Sequence, residues 1–224
     1  MKDLRDLQVA EAVDFPPTAH AKKDTDIQIK ITHAAVTHVD QLYAQGLHQN
    51  NRRHVQPPFI LGTEFAGIVT STSKSSQFKP GDRVFGGGLG SYAENIVVGE
   101  SSARRVPDRW TLAQACAVGS SGSVSYGALV SIAKLKAGET ALILGASGGL
   151  GVMAVQIARA VGAEVIAVVG DEEKERMVRS LGAHHVVSYR EPGWEDRVKA
   201  KTKDGEGVHV VYDVSMLTLL MESC

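Results

Sequence analysis

The chain has 224 residues, of which 43% are hydrophobic, and its 24 basic and 25 acidic side chains give a net charge of −1. This balance, without blocks of like charge, argues against nucleic acid or an anionic membrane as a partner. The two cysteines, Cys116 and Cys224, are too few for a disulfide framework or a four-cysteine zinc lobe. The N-terminal segment lacks the apolar run of a secretory signal, so the expected location is cytoplasmic.

The first part of the chain is predicted to be mostly β-structure. Residues 27–31 alternate apolar and polar side chains, as a half-buried strand does. A second strand is predicted at 65–69, and the turn at 79–82 leads into a third at 83–85. Residues 91–98 and 104–106 complete this all-β run. A domain boundary is predicted after residue 128, giving domains 1–128 and 129–224.

The second part alternates strands with helices, a pattern that predicts a parallel sheet and an α/β fold. The predicted strands are 141–144, 165–169, 185–187 and 208–212, and the predicted helices lie near 150–161, 172–180 and 194–201. A doubly wound dinucleotide-binding sheet has six strands, and only four are found. The sequence therefore predicts an incomplete Rossmann domain, with the last strand beside the first and its other edge unpaired. Residues 213–224 are expected to fold over that edge as a short helix or to remain disordered.

A glycine-rich turn joins the first of these strands to the first helix. Its residues are Ala146, Ser147, Gly148, Gly149, Leu150 and Gly151. The order departs from G-x-G-x-x-G because alanine stands at the first glycine position, which is acceptable if its φ stays negative. Between two strands and opening a helix, such a turn predicts a pyrophosphate site. The alternative is a buried β-α-β unit without a ligand.

A membrane-spanning segment is not expected. Gln156, Arg159 and Glu164 interrupt the apolar run of the second part. No charge-free apolar segment of about 18 residues is anticipated elsewhere in the chain.

Six motifs occur in an order that resembles the medium-chain dehydrogenase/reductase superfamily. They are GTEFAGIV (62–69), KPGDRV (79–84), GSYAENIVV (90–98), SYGAL (125–129), ASGGLG (146–151) and EEKERMVRSLGAHHVVSY (172–189). The resemblance is strongest to the zinc-free quinone oxidoreductase branch, which includes zeta-crystallin-type enzymes and enoyl reductases. It implies a GroES-like β domain before the Rossmann domain, NADPH as cofactor, and a homodimeric full-length parent.

The resemblance also bears on zinc. Alcohol dehydrogenases of the superfamily bind catalytic zinc through a Cys and a His, and the matching positions here hold Thr37 and Thr63. Because neither residue is a good zinc ligand, no metal is expected. Without a Lewis acid, reduction of a quinone or an activated C=C bond is favoured over alcohol oxidation.

The cofactor preference is predicted at the end of the second Rossmann strand, at Gly170. The resemblance places Lys174 and Tyr189 where a lysine and a tyrosine bind the 2′-phosphate of NADPH. Asp171 is either the acid that NAD enzymes use for the ribose or the N-cap of the next helix, and the cap is favoured.

Four residues of the first domain are candidates for the catalytic site by resemblance. Thr37 offers a substrate-facing hydroxyl, and Asp40 and Glu64 fall on the cleft side. His48 stands where a tyrosine is often found near the nicotinamide, and it would donate a proton or a hydrogen bond. The alternatives are two buried, paired acids and a histidine on a surface loop.

Two classes of function remain open. The first is an NADPH-dependent reductase of a small quinone, enone or enoyl substrate, which includes a trans-acting enoyl reductase of polyketide synthesis. The second is a non-catalytic product, such as an inactive truncated fragment that keeps partial nucleotide binding. The incomplete sheet favours the non-catalytic function for this chain. The intact motifs favour the reductase function for its full-length parent.

Overall fold

The computed structural model describes residues 25–52 and 55–215. The chain forms two compact units, Met1–Ser120 and Ser121–Cys224. The boundary between them thus precedes the predicted one at residue 128. The expectations for the N-terminal segment, for Cys224 and for most of residues 213–224 concern residues outside the described ranges.

The first unit is built on a five-stranded antiparallel sheet. Its strands are β1 (Asp26–Ala35), β2 (Glu64–Thr72), β3 (Arg83–Gly87), β4 (Asn95–Gly99) and β5 (Ala103–Arg105). They lie in the order β4-β1-β2-β3-β5. Ile27 and Ile29 alternate with less buried residues and pack with Phe65 and Val84 in one apolar core, because every second side chain of a strand shares a face. The predicted β-structure is confirmed.

Two helices belong wholly or partly to this unit. They are α1 (His38–Gln45) and α2 (Leu112–Tyr126). Helix α1 begins after Thr37 and ends at Gly46, whose φ of 72° gives the left-handed conformation common at helix C-termini. Helix α2 has non-helical dihedral angles at Gly119 and continues as a π-helical segment at Gly127–Ile132.

The second unit is a parallel sheet with helices on both faces, as predicted. Its strands are β6 (Thr140–Leu144), β7 (Glu164–Val169), β8 (His185–Ser188) and β9 (Val210–Asp213), and its helices are α3 (Gly149–Val161), α4 (Glu172–Ser180) and α5 (Trp194–Lys199). The strand order is β8-β7-β6-β9. One apolar cluster joins β6 and β7 to α3 and α4, and the other packs Trp194 and Val198 against the opposite face.

The position of β9 agrees with the sequence. It pairs with β6 in parallel, Leu142 opposite Val211, and within the described part of the chain no strand pairs with its other edge. The strand begins at Val210 rather than at the predicted residue 208. Gly205 and Gly207 both have positive φ, so the chain is still turning just before it enters the sheet.

One apolar helical stretch contradicts the sequence expectation. Residues Leu112–Ile132 carry no charged side chain, and they have the length and mean hydropathy, 1.2, of a membrane span. The expectation that no such segment exists is therefore wrong. By itself the stretch is weak support for a membrane location, since the core helix of a soluble protein has the same length and composition.

Candidate functional site

The glycine-rich turn lies at the carboxyl end of β6 and opens α3. Gly145 adopts the positive φ, 69°, while the φ of Ala146 is not positive. The backbone N–H of Ala146 donates to the Val168 carbonyl at 3.3 Å, and that of Gly148 to the Gly145 carbonyl at 3.0 Å. The alanine at the first motif position is therefore accommodated as the sequence predicts, because the preceding glycine makes the left-handed step.

The glycines of the turn have different roles. A Cβ added to Gly151 would lie 2.2 Å from the Gly145 carbonyl oxygen, so this glycine is required for close contact between α3 and the turn. A Cβ on Gly148 would meet nothing nearer than 3.4 Å, and one on Gly149 nothing within 4 Å. Both are exposed at the start of α3, and Gly148, the N-cap, has no side chain to cap the helix. Helix N-terminal N–H groups in such a position suit a phosphate oxygen.

A serine from the helix before β6 holds the turn in place. The Ser125 hydroxyl donates to the Leu150 carbonyl at 3.0 Å, and its oxygen lies 3.2 Å from the hydroxyl of Tyr212 on β9. Ser125 is fully buried. It thus connects the half-buried Leu150 to the neighbouring strand.

The end of β7 brings together the residues predicted for the 2′-phosphate. Gly170 is buried, and a Cβ on it would lie 2.5 Å from the Tyr189 hydroxyl oxygen, so the tyrosine packs directly over the glycine. Lys174 lies on the first turn of α4 and interacts electrostatically with both Tyr189 and Arg190. Arg190 was not predicted.

Asp171 is the N-cap of α4, as favoured from the sequence. Its Oδ1 accepts a hydrogen bond from the Lys174 backbone N–H at 2.9 Å, and its Oδ2 lies 2.8 Å from the Lys174 ammonium. These contacts with the lysine side chain and backbone hold the pKa of Asp171 below its usual value. The same ion pair raises the pKa of Lys174.

In the first unit, the carboxylate of Asp40 is enclosed by donors. It accepts hydrogen bonds from the Thr37 backbone N–H at 2.8 Å, the Thr37 hydroxyl at 2.9 Å, the Thr63 hydroxyl at 3.0 Å and the Tyr92 hydroxyl at 2.9 Å. Asp40 itself is only 4% exposed. The structure therefore joins two predicted residues, Thr37 and Asp40, and adds Thr63 and Tyr92, a set we call the Asp40 cluster.

The directions of these hydrogen bonds limit what the cluster can offer a ligand. A carboxylate only accepts hydrogen bonds, so the Thr37 and Thr63 hydroxyl protons point at Asp40, while the Tyr92 hydroxyl lies within reach of both Asp40 and the Ala35 carbonyl, 3.3 Å away. Thr37 and Thr63 then present lone pairs to their surroundings. Burial, with the hydrogen bond to Asp40 as the next contribution, raises the pKa of Tyr92, so its hydroxyl keeps the proton.

Glu64 is the second buried acid of the first unit, with 2% of its surface exposed. Its carboxylate accepts a hydrogen bond from the Ser120 hydroxyl at 2.6 Å. A Cβ on Gly119 would lie 3.0 Å from Glu64 Oε2, which brings the carboxylate close to the irregular turn of α2. Burial and the nearby charge of Glu64 raise the pKa of Cys116 to about 11, so this thiol stays protonated at neutral pH.

His48 lies in a different environment. Its ring stacks on Tyr43 with centroids 4.2 Å apart, and its Nδ1 accepts a hydrogen bond from the Asn50 backbone N–H at 3.2 Å. The side chain is half-buried. His48 thus lies on the loop after α1, packed on the ring of Tyr43 near the end of that helix.

Comparison with known proteins agrees with both units. The alcohol dehydrogenase GroES-like domain matches residues 23–108, and the zinc-binding dehydrogenase family matches residues 149–224. A quinone oxidoreductase of Sus scrofa is 36% identical over 217 residues, which cover 95% of this chain and 62% of the relative. A mycocerosic acid synthase-like polyketide synthase of Mycobacterium tuberculosis is 33% identical, with 93% of this chain and 10% of that protein covered. The crystal structure of Escherichia coli quinone oxidoreductase complexed with NADPH superimposes with a TM-score of 0.76 at 32% identity, covering 85% of this chain and 58% of that one.

The chain belongs to the medium-chain dehydrogenase/reductase superfamily. Its relatives place it in the branch of quinone oxidoreductases and enoyl reductases. Its first unit is the GroES-like domain and its second is Rossmann-like, as the sequence predicts. The chain spans about three fifths of the quinone oxidoreductases it matches.

The Asp40 cluster stands where other members of the superfamily are expected to hold zinc. The two threonines at the ligand positions bind Asp40, and their hydroxyls lie 3.4 Å from each other. Within residues 25–52 and 55–215, no group of three His, Cys, Asp or Glu side chains is arranged to bind a metal.

Several residues of these sites were missed from the sequence, among them Tyr92, Ser125 and Arg190. Tyr92 lies 52 positions from Asp40 in the chain, and Ser125 lies 87 from Tyr212. Both stand inside quoted motifs, GSYAENIVV and SYGAL, which was the available signal. Arg190 directly follows Tyr189, so its position beside the predicted tyrosine was the only indication.

Proposed function

We propose that this chain forms the nucleotide-binding and part of the substrate-binding region of an NADPH-dependent reductase. The observation that carries the proposal is the pair of features at the carboxyl ends of β6 and β7. There the open turn at Gly148 and Gly149 is accompanied by Lys174 and Tyr189. In a parallel α/β sheet, nucleotides bind at the carboxyl ends of the strands.

The second unit has both the space and the positive charge that a dinucleotide phosphate requires. The backbone of Ser147, Gly148 and Gly149 reaches the uncapped start of α3, and no Cβ keeps a phosphate away from the two glycines. Lys174 supplies the cation and Tyr189 a hydroxyl for a 2′-phosphate, with Arg190 as a second nearby cation. The Escherichia coli relative supports the assignment, since its structure contains NADPH.

When bound, a reduced nicotinamide supplies a hydride for an electron-poor carbon or a quinone. Thr37 and Thr63 cannot orient such an acceptor by donating hydrogen bonds to its carbonyl oxygen, because Asp40 holds their protons. Any proton for the product must therefore come from a group other than these threonines, and His48 is the candidate that we retain.

The small-molecule substrate is proposed to be a quinone, with an enone or enoyl thioester as the alternative. The quinone oxidoreductase relatives favour the first, and the polyketide synthase match favours the second. A cytoplasmic location and a homodimeric parent remain predictions from the sequence. A protein that binds the nucleotide without turnover is the competing function.

Turnover assays separate these possibilities. The protein is mixed with NADPH and either a quinone, an α,β-unsaturated ketone or an enoyl thioester, and loss of NADPH absorbance is followed. We expect the quinone to be reduced fastest. Saturable NADPH binding with no turnover on any acceptor would favour the non-catalytic function, and absence of NADPH binding would overturn the proposal.

A further inference from the structure

Two hydroxyl oxygens of the Asp40 cluster can accept hydrogen bonds but cannot donate them. The Thr37 hydroxyl donates to Asp40 Oδ2 at 2.9 Å, and the Thr63 hydroxyl donates to Asp40 Oδ1 at 3.0 Å. The two hydroxyl oxygens lie 3.4 Å apart, and neither has a proton left to donate to the other. A hydroxyl that gives its one proton to a carboxylate keeps its lone pairs. Within residues 25–52 and 55–215, no other group donates to either oxygen, so both keep unused acceptor capacity.

The two threonines lie at a surface that a ligand can contact. Thr37 and Thr63 are half-buried, whereas the Asp40 that holds their protons is only 4% exposed. The apolar side chain of Val36, next to Thr37, is 81% exposed, and Tyr92 of the same cluster is 38% exposed. The surface therefore offers apolar contacts beside two hydrogen-bond acceptors.

The charge of Asp40 determines which ligand groups suit these oxygens. Its four hydrogen bonds all come from uncharged groups, so they leave its negative charge in place. Hydrogen bonds in a chain polarise one another, and the bond to a carboxylate makes each threonine oxygen a better acceptor. A ligand hydroxyl or amide N–H is attracted to such an oxygen, whereas a carbonyl oxygen or a carboxylate is repelled.

We propose that the Asp40 cluster selects substrates that carry a hydrogen-bond donor, a hydroxyl or an amide N–H, beside the apolar conjugated system that is reduced. Thr37 and Thr63 are then specificity-determining residues that accept the donor, and Asp40 acts through them. The inference rests on the proposed function, because it requires the substrate to bind at this cluster. It narrows the substrate class, since an unsubstituted quinone or enone has acceptor oxygens only.

The test is a calorimetric titration of the full chain, without nucleotide, with a naphthoquinone that carries a hydroxymethyl group and with its methyl ether. The ether keeps the quinone ring and the side-chain oxygen but lacks the donor. Thr37→Val and Thr63→Val each remove one hydroxyl and keep the branched side chain. Thr63→Ser is the matched control, since it keeps the hydroxyl. Circular dichroism checks the folding of each variant, and NADPH binding is measured in parallel.

We expect the wild-type chain to bind the alcohol about fivefold more tightly than the ether, the worth of one hydrogen bond. This ratio should fall towards one in at least one of the valine variants and stay unchanged in Thr63→Ser, because the serine still presents a hydroxyl oxygen.

Three results would overturn this inference and leave the proposed function standing, each in a chain that binds NADPH. They are a wild-type ratio near one, no binding of either naphthoquinone, and a wild-type ratio that both folded valine variants keep. The wild-type ratio serves as the test by itself should a valine variant fail to fold. A chain that binds neither NADPH nor the naphthoquinones would overturn the proposed function together with the inference.

Discussion

At the scale of single residues, the Asp40 cluster contains the two threonines, Thr37 and Thr63, that the sequence resemblance aligns with zinc ligands. A buried carboxylate is costly unless it is hydrogen-bonded, and here four donors from Thr37, Thr63 and Tyr92 satisfy it. The cluster connects the start of α1 to the segment before β2 and to the loop before β4. Its first role is therefore to stabilise the GroES-like unit.

We expect Asp40→Asn to lower the free energy of unfolding by about 2–4 kcal/mol. The asparagine NH₂ group would face the hydroxyl donors, and the charged acceptor of their hydrogen bonds would be lost. Thr37→Ser is the control, since it keeps the hydroxyl and should change stability by less than about 1 kcal/mol. Chemical denaturation measures both variants. An Asp40→Asn protein as stable as wild type would show that the donors find other partners.

A second residue-scale prediction concerns Lys174. Lys174→Ala should weaken NADPH binding by about tenfold or more, the worth of a charge-assisted hydrogen bond, and should leave NADH binding nearly unchanged. Lys136→Ala, an exposed lysine elsewhere in the second unit, is the control for net charge. Equal losses for both cofactors would exclude Lys174 as the contact to the 2′-phosphate.

At the scale of elements, the strand-turn-helix unit from β6 to α3 separates glycines needed for folding from those open to a ligand. Gly151→Val places a side chain against the Gly145 carbonyl, 2.2 Å from the new Cβ, and should prevent stable folding. Gly148 has φ −80° and ψ 170°, extended angles that valine tolerates. We expect Gly148→Val to melt within a few degrees of wild type, since a poorer N-cap costs about 1 kcal/mol. A Gly151→Val protein with wild-type melting behaviour would contradict the role assigned to this glycine.

Elements set by local sequence were predictable, and contacts between distant segments were not. The turn at Gly145–Gly151 and the Asp171 cap depend on residues within a few positions of one another, so spacing alone reveals them. The contact between Tyr92 and Asp40, and that of Ser125 with Leu150 and Tyr212, depend on how strands and helices pack. For the same reason the sequence identified Asp40 and Glu64 as acids of interest but could not show which hydroxyls hold them.

At the scale of the whole molecule, the second unit has the strand order β8-β7-β6-β9, in which β9 is an edge strand among the described residues. Val211 on this strand is 50% exposed, and unpaired apolar edges promote association between chains.

We expect Val211→Lys to reduce aggregation of the chain without changing its secondary structure, because a charge on an edge strand opposes strand pairing. Ile132→Lys is the control, since it places the same charge on an exposed apolar residue away from the sheet. Light scattering during heating compares the two with wild type. Equal protection by both variants would assign the effect to net charge rather than to the edge of β9.

The central claim is that the turn at the start of α3 binds the phosphates of NADPH, and a fluorescence titration of the wild-type chain against Gly148→Val tests it most directly. The valine leaves the fold intact but fills the space in front of the uncapped helix N-terminus. The account predicts saturable NADPH binding by wild type and at least tenfold weaker binding by the folded variant. A folded Gly148→Val protein that binds NADPH as tightly as wild type would contradict it.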